Sequence, residues 1–260
     1  MSDDILLEID GPVARLILNR PKAMNALNLA IVGRLAALLP ELAAKAEIRV
    51  LVLTGNGPAF CAGADLKEAL LGPKPNPGES DFLAQAAAVI ELLRAFPKPV
   101  VAALNGVTMA GGLELALCAD IVLAAESARI GDAHANFGVF PGGGGAAVLP
   151  RVLPRNVANY LLLTGKSLTA AEMKSYGFVN EVHPDAELAA AADALAKAIA
   201  AKSPIVLRRM KEVARASADK SCADALLHEQ VMLRAHLQSW DIQEGLSAFN
   251  EKRAPRFRGY

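Results

Sequence analysis

The chain has 260 residues, enough for one large or two modest domains with a substantial buried core. Hydrophobic residues make up 53% of it and charged residues 21%, a composition that is typical of globular proteins and excludes general disorder. Lysine and arginine number 27, as do aspartate and glutamate, so the formal net charge is zero. This balance argues against a dedicated nucleic-acid binder, although a local basic patch for one small polyanion is compatible with it.

No uninterrupted apolar stretch approaches a membrane span, although the mean hydropathy is +0.30. The most apolar segments, residues 100–125 and 186–201, are interrupted by charged and polar side chains. The acidic N-terminus lacks the cationic and apolar regions of a signal peptide. Three widely spaced cysteines fit reduced thiols better than a disulfide framework or a metal site. We therefore expect a cytoplasmic protein that has no membrane partner.

Strand and helix patterns alternate along the first part of the chain. The predicted strands are residues 5–9, 13–18, 50–54, 99–104 and 121–125, followed by a short segment at 128–131. The predicted helices are residues 28–46, 82–96 and 111–118. Pro40 lies inside the first helix and is expected to kink or split it. The alternation favours an α/β core.

Two other regions do not follow this alternation. Residues 72–80 (GPKPNPGES) cannot form the interior of a strand or helix, and they are predicted to be a mobile loop or a tolerated surface insertion. The last eighty residues show helical patterns at 186–202, 204–216 and 222–240, without a convincing strand between them. We predict an α/β core over residues 1–200 and a helical C-terminal region over residues 201–260.

Two glycine-bearing turns have the chemistry of a candidate site. Residues 60–66 (FCAGADL) follow a predicted strand with small side chains that let a ligand approach the backbone. Residues 105–112 (NGVTMAGG) join a buried strand to a helix that begins near Gly111, where free N–H groups can bind an anion. Two such N–H groups aimed at one point would form an oxyanion hole for a developing enolate. Each turn by itself is also compatible with an ordinary glycine turn.

Glu114 is a charged residue within the apolar run 113–118. On the first turn of a helix, its carboxylate can simply complement the helix dipole. If the side chain instead faces inward beside the anion site, burial would suit it to general acid/base catalysis. The residue pattern leaves both interpretations open.

Segments spread over nearly the whole chain, in the same order, resemble the enoyl-CoA hydratase/isomerase (crotonase) superfamily. They are NRPKAMNAL (19–27), FCAGADL (60–66), NG…AGGLELA (105–116), CADI (118–121), G…PG…GG (138–145) and EG…AF…EKR (244–253). The resemblance implies an α/β spiral of ββα units, followed by helices that assemble a homotrimer or a dimer of trimers. It also implies an acyl-CoA substrate, with coenzyme A as part of that substrate and no metal or redox cofactor.

The same resemblance implies roles for individual residues. The backbone N–H groups of Ala64 and Gly111 would hold the thioester oxygen. The implied substrate-binding residues are Lys22, Ala23, Met24, Ala62, Asp65, Leu66, Lys67, Gly112, Phe137, Pro141 and Gly142. Residues 22–24 would lie near the nucleotide end of coenzyme A, where Lys252 is a weaker candidate for its phosphates. Phe82 and Phe140, with Phe137, are candidates for either pocket walls or core.

The chain departs from the superfamily at one catalytic position. Members that hydrate enoyl thioesters use two glutamates around one water; Glu114 matches the first, whereas His134 occupies the position of the second. A neutral imidazole with a pKa of about 6.5 can accept a proton from water or substrate. Asp132 either orients this ring or caps the helix that follows, and His134 itself is compatible with a structural role.

The leading hypothesis is an enoyl-CoA hydratase-like lyase that adds or removes water across the 2,3-double bond through an enolate. Glu114 would be the principal acid/base and His134 the second polar group that holds the water. Alternatives within the superfamily are isomerisation, decarboxylation or C–C hydrolysis that uses His134. A non-catalytic CoA-ester-binding protein is a further alternative. A nicotinamide-dependent dehydrogenase is disfavoured because the dinucleotide-binding glycine fingerprint is missing.

Overall fold

The computed structural model describes residues 4–72 and 80–260, so the loop predicted at 72–80 lies outside the described residues except for its two ends. The strands are β1 Ile5–Asp10, β2 Val13–Leu18, β3 Val50–Gly55, β4 Ala59–Cys61, β5 Val100–Leu104, β6 Val107–Met109, β7 Ile121–Ala125, β8 Arg129–Gly131, β9 Ser167–Thr169 and β10 Glu181–His183. The helices are α1 Leu29–Ala44, α2 Leu66–Leu71, α3 Phe82–Arg94, α4 Gly111–Ala116, α5 Gly145–Val152, α6 Arg155–Thr164, α7 Ala170–Ser175, α8 Leu188–Ala200, α9 Pro204–Ser217, α10 Cys222–His236 and α11 Trp240–Asn250.

In the described part of the chain, these strands form two sheets. The larger has six strands in the order β1-β2-β3-β5-β7-β10, and the smaller has four in the order β4-β6-β8-β9. From β2 to β10 the strands of the larger sheet are parallel, whereas β1 pairs antiparallel with β2. Strands β3, β5 and β7 consist mostly of buried aliphatic residues, as expected for a parallel sheet that is covered on both faces.

Consecutive strands of the larger sheet pass directly into strands of the smaller sheet. β3 leads to β4, β5 leads to β6 and β7 leads to β8, and helical segments follow each pair. This repeated unit confirms the predicted α/β spiral. Because β4 and β6 are parallel neighbours, the turns that follow them leave the smaller sheet at the same edge. In open α/β sheets, ligands bind outside the carboxyl ends of such strands.

Helix α1 buries the apolar face that its sequence predicts. Its N-cap, Asn28, accepts a hydrogen bond from the backbone N–H of Ile31 at 2.8 Å. Pro40 lies inside this helix, but the helix continues to Ala44, so the predicted split is wrong. Pro40 is on the exposed face, where water can satisfy the carbonyl that its missing N–H leaves free. The neighbouring buried leucines, Leu38 and Leu39, hold the helix against the core.

The helix predicted at 222–240 is confirmed as α10 over Cys222–His236, but its predicted end is wrong, because α11 begins at Trp240. Ser239 accepts a hydrogen bond from the backbone N–H of Ile242 at 3.4 Å and caps α11, which interrupts the helical pattern.

Short strands were also missed by the sequence patterns: strands β4, β6, β9 and β10 have three residues each, too few to show alternation. Helix α8 packs against β3, β5 and β7, whereas α9 packs against α10. The division at residue 200 stays a prediction.

The C-terminal segment is attached to the body through Asp241, which is 1% exposed. Its carboxylate accepts hydrogen bonds from the backbone N–H groups of Arg258 at 2.8 Å and Gly259 at 3.1 Å. It also accepts a hydrogen bond at 2.6 Å from the hydroxyl of Ser203, the N-cap of α9. One buried carboxylate therefore links the beginning of α11, the beginning of α9 and the chain end. Within residues 4–72 and 80–260, no helix is long and apolar enough to cross a bilayer.

We expect Asp241→Ala to lower the free energy of unfolding by about 1–3 kcal/mol, because it leaves buried hydrogen-bond donors without an acceptor. Urea denaturation measures this loss, and trypsin cleavage at Arg256 and Arg258 reports release of the chain end. Asp219→Ala is the control, since Asp219 forms only an exposed ion pair with Arg151 at 2.7 Å. Equal urea midpoints for the two variants would contradict the role of Asp241.

Candidate active site

The two glycine-bearing turns lie against each other because glycines allow their backbones to approach. A Cβ built on Gly112 would lie 2.0 Å from the carbonyl oxygen of Cys61. A Cβ built on Gly63 would lie 2.9 Å from the Cβ of Ala110. Real Cβ atoms do not approach other atoms this closely, so both positions require glycine for the present packing. The beginning of α4 is therefore packed directly on the turn that follows β4.

The backbone N–H groups of Ala64 and Gly111 are neighbours in this arrangement. A Cβ built on Gly111 would lie 3.5 Å from the nitrogen of Ala64. Leu27 pairs with the residues on either side of Ala64: its N–H donates to Gly63 at 2.8 Å, and its carbonyl accepts from Asp65 at 2.8 Å. In the described part of the chain, neither the N–H of Ala64 nor that of Gly111 donates a hydrogen bond. Two adjacent free donors are thus available to a ligand.

Ala110, immediately before Gly111, has a strained backbone. Its φ is 48° and its ψ is −119°, a conformation that side chains other than glycine rarely adopt. Such strain costs about 1–3 kcal/mol and persists where the surrounding structure maintains it, commonly at functional sites. Here the N–H of Ala110 donates to the carbonyl of Gly131 at 3.1 Å, which helps to hold the turn.

Glu114 faces inward from the first turn of α4 and is 6% exposed. Its Oε1 accepts hydrogen bonds from the backbone N–H groups of Gly143 at 2.6 Å and Gly145 at 3.0 Å. Gly145 is the first residue of α5, so the carboxylate interacts with the N-terminus of that helix. In the described part of the chain, Oε2 accepts no hydrogen bond. The inward-facing interpretation of Glu114 is therefore confirmed, and one of its oxygens is available for chemistry.

His134 lies at the beginning of a short 3-10 helix, and its side chain is 11% exposed. Its Nδ1 is 2.9 Å from Oδ1 of Asp132, which also accepts the backbone N–H of His134 at 3.3 Å. Burial alone lowers the pKa of His134, but the hydrogen bond and charge of Asp132 and the charge of Glu114 together raise it. Asp132 thus contacts both the ring and the backbone of His134, and His134 lies within electrostatic reach of Glu114.

The glycine-rich turn at 143–145 connects these groups, a contribution that the sequence reasoning missed. It donates to Glu114, and a Cβ built on Gly145 would lie 2.5 Å from Oδ2 of Asp132. Arg94, at the end of α3, donates from Nη2 to the carbonyl of Gly143 at 3.3 Å. The run of four glycines was a visible signal for this turn, whereas Arg94 has no local sequence signal because its partner is distant in the chain.

Arg94 also contacts Cys118, two residues beyond the end of α4. The Cys118 thiol donates to the backbone carbonyl of Glu114 at 3.3 Å. Burial raises the pKa of this thiol to about 11, although nearby Arg94 opposes the rise. Burial likewise raises the pKa of Cys61 to about 12. Neither thiol is a nucleophile near neutral pH, so their contribution to the site is packing.

Residues predicted near the nucleotide end of a CoA ester lie in or next to the 3-10 helix Pro21–Ala23. Lys22 is exposed, and Ala23 and Met24 are half-buried. The carbonyl of Met24 accepts the N–H of Ala62 at 3.0 Å, which attaches this segment to the first glycine-bearing turn. Their contact with a substrate stays a prediction.

The remaining candidate substrate-binding residues lie in two regions of the structure. Asp65 lies 3.3 Å from Nη2 of Arg20, so its charge is paired within the protein; Leu66 and the exposed Lys67 begin α2. The second group of candidate substrate-binding residues lies in the segment that follows His134: Phe137, Phe140, Pro141 and Gly142. Both phenylalanine rings are exposed, whereas Phe82 is part of the core. Among residues 4–72 and 80–260, no cluster of acidic, histidine or cysteine side chains could hold a metal.

We expect Gly112→Ala to lower the free energy of unfolding by about 3 kcal/mol or more, because its Cβ would overlap a backbone oxygen that cannot move aside cheaply. Gly142→Ala is the matched control: no heavy atom lies within 4 Å of its added Cβ, so we expect a change within about 0.5 kcal/mol. Urea denaturation measures both values. A Gly112→Ala protein as stable as the control would show that the turns do not need this close approach.

Comparisons with known proteins agree with this architecture. A family model described as enoyl-CoA hydratase/isomerase matches residues 8–260. The chain is 37% identical over 259 residues to the 2,3-dehydroadipyl-CoA hydratase of Escherichia coli (strain K12), a match that covers 98% of this chain and 99% of that protein. It is 34% identical over 259 residues to the (E)-benzylidenesuccinyl-CoA hydratase of Thauera aromatica, with 98% and 99% covered.

The fold comparison extends over the whole molecule. The structure is similar to the crystal structure of an enoyl-CoA hydratase from Bacillus anthracis, with a TM-score of 0.92 and 34% sequence identity. That match covers 99% of this chain and 100% of the other. The chain belongs to the enoyl-CoA hydratase/isomerase (crotonase) family.

Proposed function

We propose that this protein is an enoyl-CoA hydratase, a lyase that adds water to, or removes it from, the 2,3-double bond of an acyl-CoA thioester. The observation that carries the proposal is the position of Glu114. Its carboxylate is held through one oxygen by two backbone N–H groups, and it follows Gly111 by three residues on the same short helix. The relatives from E. coli and T. aromatica, which are both named as hydratases, support the same reaction.

The free N–H groups of Ala64 and Gly111 would bind the thioester oxygen. When water adds to C3, the electrons of the double bond move toward this oxygen and an enolate develops. Backbone donors that are already oriented stabilise such a charge without reorganisation, an effect worth about 3–4 kcal/mol for one donor in other enzymes. This requirement explains the strained turn at Ala110, since the N–H of the next residue is one of the two proposed donors.

Glu114 would act as the principal acid/base through Oε2, the oxygen that accepts no hydrogen bond in the described part of the chain. In hydration it would take a proton from the attacking water, and in dehydration it would return that proton. His134 would be the second polar group beside the water. Its hydrogen bond to Asp132 at 2.9 Å restricts the ring to one orientation.

The His134–Asp132 pair also favours one second candidate function, the hydrolysis of a C–C bond in a β-dicarbonyl substrate. A histidine that is bound to a carboxylate can activate water for attack on a carbonyl carbon. The two reactions are distinguished by their products. Hydration removes the absorbance of the conjugated enoyl thioester, whereas C–C hydrolysis releases a carboxylic acid.

The remaining candidates would bind the substrate beyond the reacting carbons. We assign residues 64–67 to the path of the acyl and pantetheine groups, and Ala62 and Gly112 to substrate binding next to the same turn. The exposed Phe137 and its neighbours would border the acyl chain near His134. Coenzyme A is then part of the substrate, and the proposed reaction requires no redox cofactor.

We expect Glu114→Gln to reduce hydratase turnover by about 10²–10⁴-fold while the KM for the thioester changes little. Glutamine keeps an acceptor oxygen for Gly143 and Gly145 but cannot take a proton from water. The measurement is the loss of enoyl-thioester absorbance under saturating substrate. Asp219→Ala, which alters an exposed ion pair outside the candidate site, serves as the control and should keep normal turnover. Near-normal turnover of Glu114→Gln would exclude Glu114 as the acid/base.

We further infer that the chain assembles through its C-terminal helices as a homotrimer or a dimer of trimers. A groove of about 530 Å³ lies between α9 and α10 and is lined mostly by apolar side chains. Several large apolar residues on these helices are exposed: Met210, Leu226, Leu227, Val231, Leu233 and Leu237. Of these, Met210, Leu226 and Leu233 line the groove together, and an exposed apolar surface of this kind marks interaction sites.

Light scattering coupled to gel filtration should give a mass three or six times that of the 27.2 kDa chain. We expect Leu226→Glu combined with Leu233→Glu to shift the protein to monomers, because two charges would be buried in the interface. Ile9→Glu, which alters an exposed residue on β1, is the control and should leave the mass unchanged. A monomeric wild-type protein would exclude the assembly.

A further inference from the structure

We propose that Asp132 is a positioning residue that makes His134 the proton donor to the substrate carbon, while Glu114 takes the proton from water. This inference rests on the proposed hydratase function and assigns two roles that the function by itself leaves open. It is carried by the geometry of a buried carboxylate, the ring nitrogen that it contacts and the glycine-rich turn that lies beside the carboxylate.

The hydrogen bond between Asp132 and His134 determines which ring nitrogen is available. Asp132 is 1% exposed, and its Oδ1 lies 2.9 Å from Nδ1 of His134. We assign the hydrogen of this contact to Nδ1, because a carboxylate oxygen acts as the acceptor. Among residues 4–72 and 80–260, Nε2 of His134 has no hydrogen-bond partner. Nε2 is therefore the nitrogen that can exchange a proton with a substrate.

The second carboxylate oxygen of Asp132, Oδ2, lies on the side of the glycine-rich turn. Oδ2 is buried and has no hydrogen-bond partner in the described part of the chain. It packs against Gly145, where an added Cβ would lie only 2.5 Å away. An unsatisfied buried carboxylate oxygen is destabilising, and a catalytic role is one of the reasons for which native proteins retain such a group. Within residues 4–72 and 80–260, the hydrogen bonds of Asp132 are those to the ring and the backbone of His134.

The charged groups that face His134 are both negative. They are Asp132, through its hydrogen bond, and Glu114, through its charge. Burial by itself lowers the pKa of His134, but these two carboxylates outweigh burial and raise it. Both carboxylates therefore favour the protonated ring, the form that can donate a proton, relative to an imidazole without these neighbours. A second glutamate at this position would instead place like charges near each other.

Glu114 has the complementary environment. The N–H groups of Gly143 and Gly145 both donate to Oε1, and Oε2 accepts no hydrogen bond in the described part of the chain. The turn therefore orients Oε2 of Glu114 to accept the proton of water, while Asp132 orients Nε2 of His134 to donate one.

These assignments give a balanced hydration step. An O–H bond of water breaks and its proton passes to Oε2 of Glu114, while the water oxygen forms a bond to C3. The π electrons of the C2–C3 bond form the enolate, whose oxygen the N–H groups of Ala64 and Gly111 hold. The enolate then takes the proton from Nε2 of His134 at C2. Transfer of a proton from Glu114 to His134, through solvent, restores the starting state.

The test compares Asp132→Asn in two backgrounds. In the wild-type background we expect kcat for hydration to fall by about 100-fold with little change in KM, because the ring loses its orientation and its charge stabilisation. We also expect the alkaline limb of the pH–rate profile to move to lower pH. Above the pKa of His134 the donor is lost, and removing the Asp132 carboxylate lowers that pKa. In the His134→Gln background, Asp132→Asn should cause no further loss.

Asp241→Asn is the matched control, since Asp241 is buried to the same 1% but lies in the C-terminal attachment. It should lower the melting temperature without moving the pH profile. Equal losses of kcat from Asp132→Asn in both backgrounds, or an unmoved alkaline limb, would overturn the positioning role while leaving the hydratase function intact.

Nitrogen NMR of the histidine side chains gives a readout that does not depend on activity. The His134 signals are identified by their absence in His134→Gln. In the wild-type protein above its pKa, His134 should carry its hydrogen on Nδ1, and an Nε2–H tautomer would overturn the proposal. If the wild-type protein hydrates no enoyl thioester, the proposed function fails, and the NMR result still decides whether Asp132 controls the ring.

Discussion

The carboxylate of Glu114 joins two segments that are 29 residues apart in the chain. Its Oε1 accepts two N–H groups from the glycine-rich turn at 143–145, so α4 and the beginning of α5 are held together at this point. The same turn lies against Asp132, and Arg94 binds its carbonyl. The relative positions of Glu114 and the Asp132–His134 pair therefore depend on one buried carboxylate that accepts two hydrogen bonds.

A second constraint is the close approach of the two glycine-bearing turns. Strands β4 and β6 are parallel neighbours, so the turns that follow them start side by side. Gly63 and Gly112 then allow the backbones to come into contact, which leaves the N–H groups of Ala64 and Gly111 adjacent. Backbone donors placed by packing in this way do not reorganise during a reaction, which is what stabilises a developing charge efficiently. The site combines this rigid pair of donors with two titratable groups in different environments.

Much of the fold follows from local pattern. Residue alternation and helical spacing identified strands β1, β2, β3, β5 and β7 and the helices with wide apolar faces, because each of these elements buries one face over several residues. Elements of three residues escaped this reasoning, although β4 and β6 determine where the site lies. Two helix boundaries were predicted incorrectly. Helix α1 continues through Pro40, which is exposed to solvent, and the cap formed by Ser239 begins α11 inside a predicted helix.

The sequence alone indicated the family, the α/β spiral and the turns that could bind an anion. The order of the sequence motifs and the position of Glu114 on a helix preceded by glycines were sufficient for this. These features are local, because a turn, a helix start and an apolar run each depend on neighbouring residues. Only the tertiary structure decided that Glu114 faces inward, that Asp132 contacts the His134 ring, and that Arg94 supports the turn. Those contacts depend on how distant segments pack, and the pairing of parallel strands brings such segments together without leaving a signal in the sequence around them.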